Sequence, residues 1–90
     1  MDKKEVLELL GFLLSSGYRQ KILFSLEPNI KTPKIISKET NIQINHVSNI
    51  LRELSEKGLV KCQTPNLRKG RIYEITTKGK DFVFKIKNLK

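Results

Sequence analysis

Between Ile44 and Lys57 apolar residues recur every three or four positions, and after Gly58 they recur every two. A period of 3.6 marks a helix with one buried face, and a period of two marks a strand. A chain that changes period across a single glycine must turn from helix to hairpin there. Ile44, Val47, Leu51 and Leu54 form the expected inward stripe, widened by Ile50. The opposite face carries Asn45, His46, Ser48, Asn49 and Arg52. Gly58 suits the left-handed position after a helix, with Leu59 as the apolar residue that follows it. Leu59 to Thr64 and Arg71 to Thr76 read as strands, the second rich in Ile72, Tyr73 and Ile75, and residues 65–70 read as the turn.

Upstream, Glu5 to Leu14 is a helical run that is apolar nearly all round. Such a helix must be buried or covered. Ser15-Ser16-Gly17 breaks it, with Gly17 in the left-handed position, and a second helix runs from Tyr18 to Leu26 with Tyr18, Ile22, Leu23 and Leu26 on one face. Thr32-Pro33 is a start signal, because threonine caps well and proline is favoured at the first helical position. That helix, Pro33 to Thr40, carries Ile35 and Ile36 inward; Asn41 takes the turn, and Gln43 is a modest cap for the next helix. Thr76 or Thr77 caps a last helix to about Leu89, with Phe82, Ile86 and Leu89 on one face and Val83 beside them.

The fold class is therefore mainly α with a small β-hairpin, and the element order is that of a winged helix-turn-helix. Residues 1–90 are expected to form a single domain, with 32–57 as the helix-turn-helix and 59–76 as the wing. A chain of ninety residues buries only about 60–65% of its unfolded surface, so a partner subunit would add to a modest core. Segments 1–16 and 77–90 are the expected dimerisation helices, through Leu7, Leu10, Leu14, Phe82, Ile86 and Leu89. The alternative for these six is packing of the first helix on the last within one chain.

Charge narrows the partner. The net charge is +9, but residues 1–30 hold four basic and four acidic groups. Residues 31–90 hold fourteen basic and five acidic groups, so all of the excess lies there. A polyanion site in that segment is one reading, and a solvated surface is the other. A major groove about 12 Å wide admits one helix bearing short polar side chains at its N-terminal half. Asn45, His46, Ser48, Asn49 and Arg52 are the candidate base-reading residues. Arg52 has an alternative as an ion-pair partner of Glu56, and His46 as a plain exposed residue. Arg68, Lys69 and Arg71 flank Gly70 at the hairpin turn and are candidate backbone contacts, as are Lys31, Lys34, Lys38 and Gln43.

The segment TPKIISKETNIQINHVSNILRELSEKGLVKCQTPNLRKGRIYEITTKGK resembles the winged core of archaeal and bacterial regulators of the ArsR/MarR-like type. HVSNILRELSEKGLV, RKGRIYEIT and TTKGK carry the likeness, SSGYRQKIL resembles archaeal members, and the match covers residues 15–80. The resemblance implies a homodimer that contacts double-stranded DNA through the fourth helix and the wing, with the first and last helices pairing the subunits. The chain departs from it in having Asn41 where glycine is frequent and in lacking paired metal-site cysteines.

One cysteine, Cys62, and one histidine, His46, supply no metal cluster and no internal disulfide. Cys62 reads as a strand residue without a redox role. A reducing cytoplasm, no cofactor and no signal peptide are expected, and no apolar run reaches the ~18 residues of a bilayer span. No Gly-rich phosphate loop or paired carboxylates mark an enzyme. The remaining functional alternative is a winged module that binds protein or RNA without reading DNA sequence.

Overall fold

A computed structural model describes residues 1–89. The described residues form a winged helix: α1 (Lys3–Leu14), α2 (Gly17–Ser25), α3 (Pro33–Thr40), α4 (Ile44–Glu56), β1 (Val60–Cys62), β2 (Tyr73–Ile75) and α5 (Thr77–Lys87). None of these helices is long and apolar enough to cross a membrane.

Side-chain caps fix most of the helix starts. Asp2, Ser16, Thr32 and Thr76 accept from the backbone N–H groups of Glu5, Arg19, Ile35 and Gly79, each three residues on. These bonds satisfy donors that a first helical turn leaves open. Gln43 precedes α4 without a side-chain cap bond. Gly17 departs from expectation. It opens α2 rather than ending α1, because Ser15 closes α1 in the right-handed region and Ser16 already caps the next helix.

Two turns set the geometry of the functional half. Asn41 takes φ 59° and ψ 34°, the left-handed conformation that asparagine tolerates, and the chain reverses between α3 and α4. Gly58, at φ 74°, ends α4. Its N–H donates to Ser55 O at 3.0 Å, and the N–H of Leu59 donates to Leu54 O at 2.9 Å. This Schellman pair turns Leu59 into the core and aims β1 away from α4.

The buried cluster draws on every helix and both strands. Leu13, Ile22, Leu23, Leu26, Ile36, Val47, Leu51, Leu54, Leu59, Phe82 and Val83 are fully buried. Three residues expected inside are exposed instead, namely Tyr18, Ile35 and Ile44. Each sits in the first turn of its helix, where the inward row is filled by the next apolar residues along.

The strands pair antiparallel, Val60 with Ile75, Lys61 with Glu74 and Cys62 with Tyr73. They are shorter than the period-two runs because the ladder turns irregular at Thr64, whose hydroxyl accepts from the Ile72 N–H at 3.0 Å. Sequence gave no sign of a third partner. Lys31, in the α2–α3 linker, exchanges backbone hydrogen bonds of 3.0 and 2.8 Å with Tyr73. The wing base is thereby stitched to the entrance of the helix-turn-helix. On the other side α5 lies close against it: a Cβ at Gly79 would stand 2.2 Å from Leu59 O.

Candidate nucleic-acid interface

Helical geometry sorts the outer face of α4 into two edges and a crest. Ile44, Ser48 and Arg52, four apart, lie along the edge toward the wing. Asn45 and Asn49 crown the helix. His46 and Glu53 lie on the far edge, toward α2.

The near edge borders a concave cleft of about 880 Å³ between the start of α3, α4 and the wing. Ser48, Asn49 and Arg52 line it from α4, Lys34 from α3, and Arg68, Lys69 and Arg71 from the wing. Seven of the twelve DNA-contact candidates thus surround one depression, drawn from three elements. Arg52 forms no ion pair with Glu56 among the described residues. Its guanidinium stays available on the cleft wall.

The other five lie elsewhere. The Asn45 side-chain oxygen accepts from the His46 N–H at 3.0 Å. His46 stands edge-to-face with Tyr18, ring centroids 6.2 Å apart. Gln43 is exposed at the start of α4, and Lys38 is exposed in the last turn of α3. Lys31 lies at the entrance to α3, where its ammonium is engaged by Glu39 at 2.5 Å and its side chain is nearly buried. Its spacing to a carboxylate eight residues away gave no helical-pair signal.

Arg71 takes a double part. Its Nε donates to Leu67 O at 2.6 Å, folding the side chain across the wing turn that it flanks. Arg68 and Lys69 remain exposed at the tip. Gly70, at φ 69°, makes the turn there.

One supporting residue went unread. Arg19 pairs with Glu53 at 3.1 Å, donates to Phe12 O at 2.9 Å and lies 4.0 Å over the Phe12 ring. It fastens α4 to the end of α1. Partners seven and thirty-four residues away leave no trace in local spacing.

The six residues assigned to subunit pairing divide. Leu7, Leu14 and Leu89 are exposed, while Leu10 and Ile86 are half-buried. Phe82 is corrected: it is fully buried in the subunit's own core, beside Val83 on the inward row of α5. Phe84, unassigned in sequence, is 67% exposed. Its place two residues from Phe82 puts it on the opposite side of α5.

Fold and cleft together define a winged-helix protein with a basic concave face. Solved structures agree on the fold. The oxidised form of MarR from E. coli superposes with a TM-score of 0.69 at 22% identity, over 91% of this chain and 60% of that one. A mutant MarR from E. coli complexed with operator DNA gives 0.70 at 24%, over the same shares. A fragment of a possible transcriptional regulatory protein from Mycobacterium bovis gives 0.68 at 24%, over 90% of this chain and 85% of that one. The chain therefore spans about 60% of the length of MarR. No family model matches it, and no curated protein sequence does. At such identities the likeness establishes the fold.

Proposed function

We propose that this chain is a sequence-specific double-stranded DNA-binding transcriptional regulator, acting in the cytoplasm as a homodimer on a pseudo-palindromic operator. The cleft carries this reading, because it gathers Ser48, Asn49 and Arg52 of one helix with the cations of a thin hairpin. Hydrogen-bonding side chains read base edges, and Arg and Lys hold phosphates. Gln43 makes no side-chain cap bond, which leaves the Ile44 and Asn45 N–H groups and the positive end of the helix dipole for a phosphate. The MarR structure with operator DNA supports the same use of this fold.

Within the proposal, residues 32–57 are the helix-turn-helix and 59–76 the wing. Asn45, His46, Ser48, Asn49 and Arg52 read bases; Lys31, Lys34, Lys38, Gln43, Arg68, Lys69 and Arg71 contact the backbone. Segments 1–16 and 77–90 pair the subunits through Leu7, Leu10, Leu14, Ile86 and Leu89. A twofold dimer places two α4 helices in successive major grooves, with half-sites roughly 34 Å apart.

Selection from random duplex DNA at fixed salt tests this directly. The expected product is an inverted repeat of that spacing, bound with an affinity that falls steeply as salt rises. A pool that stays random through successive rounds would overturn sequence-specific reading.

A further inference from the structure

Ile44 is the first residue of α4, and its side chain is 51% exposed. Single exposed apolar residues are common, so exposure alone says nothing. Its surroundings say more. Ile44 lines the same cleft as Ser48, Asn49 and Arg52, at the helix end where base-edge contacts concentrate. Ser48 and Arg52 lie one and two turns on along the same edge, and both are polar. The inward row of α4 is complete without it, since Val47, Leu51 and Leu54 are fully buried. Ile44 is thus an apolar group set in a row of hydrogen-bonding side chains, on the surface proposed to meet the major groove.

Only one group in the major groove has matching chemistry. Every base pair there shows donors and acceptors, but thymine also shows its C5-methyl. An isoleucine over a thymine methyl removes apolar surface of both from water. Over a guanine or cytosine edge it would desolvate a polar group and return no hydrogen bond. We infer that Ile44 is a specificity-determining residue that selects thymine by packing on its C5-methyl group, next to the bases read by Ser48 and Asn49. This rests on the DNA-binding reading and adds a contact that hydrogen bonds cannot make.

Uracil tests it, because uracil keeps the pairing edge of thymine and lacks only the methyl. The full chain is titrated against its selected duplex, with each thymine replaced singly by uracil. Wild type should lose about fourfold in affinity at one thymine per half-site, the worth of one buried methyl-sized group. Ile44→Ala should bind the thymine and uracil duplexes alike at that position, and keep the wild-type salt dependence. Ile44 is exposed, so the variant should keep its unfolding temperature. Equal binding of thymine and uracil duplexes by wild type at every position overturns the inference, as does full retention of the discrimination by Ile44→Ala. Either result leaves DNA binding standing. Failure of wild type to bind any duplex overturns both readings.

Discussion

Asn49 and Ser55 stand on the same helix and face different demands. Asn49 is exposed on the cleft rim, and in the proposed complex its amide meets a base edge. Asn49→Ala should relax preference at one or two base pairs by about 1–3 kcal/mol per position, read by competition among single-base variants of the selected duplex. Binding that weakens equally for all sequences would move Asn49 to the backbone-contact group. Ser55 lies two turns further in, where its hydroxyl is buried with no hydrogen-bond partner among the described residues. A buried hydroxyl without a partner is destabilising, and alanine also has the better helix propensity. Ser55→Ala should therefore raise stability by about 1 kcal/mol in urea unfolding; a loss of stability would mean that the hydroxyl is satisfied. Residue positions were legible where chemistry and period agreed, as for Ser48 and Arg52 on the cleft wall. They were hidden where a partner lies far along the chain, as Glu39 does for Lys31. Ile44 shows the other limit: period alone assigns it inward, but a first-turn residue at the stripe's edge has no neighbour beyond it to bury it.

The wing joins two mechanical parts. Its base is held by the β1–β2 register and by α5, and its tip by Arg71 across the turn. Gly79→Ala should cost several kcal/mol, about 2–4, because the new methyl meets the Leu59 carbonyl, and backbone there cannot yield cheaply. Thermal unfolding checks it, and a neutral result would mean that α5 can slide along the wing base. At the tip, joint replacement of Arg68 and Lys69 by alanine removes two cations without touching the core. The slope of log affinity against log salt should flatten by about 1.8, the value for two phosphates. An unchanged slope would place the tip away from the duplex. The element boundaries that sequence read well, at Thr32, Asn41 and Gly58, are those with a local chemical cause. The strand lengths were read too long because Thr64 replaces a ladder bond with its hydroxyl, which periodicity cannot register.

At the level of the whole molecule, charge and apolar surface point to opposite ends of the chain's work. The excess of positive charge belongs to residues 31–90, while exposed Leu7 and Leu14 sit two turns apart on α1. Replacing both with glutamate should give a monomer in sedimentation at micromolar concentration, with helicity retained, because neither side chain belongs to the buried core. A wild-type monomer under the same conditions would remove the dimer. Arg19 links these ends through Phe12 and Glu53, so α1 cannot shift without drawing on α4. The single rung between Lys31 and Tyr73 has a kinetic counterpart. Their two amides are locked by each other's carbonyls, so they should trade hydrogen for deuterium together and slowly, in one opening event with the sheet. The amides of residues 68–70 should exchange at nearly the rate of a free peptide, while that of Leu67, bonded to the Thr64 carbonyl, should lag behind them. The ribbon would then meet its target as a stiff stem bearing a short loose end, and a longer or differently charged end could be fitted to that stem without reopening the fold beneath it.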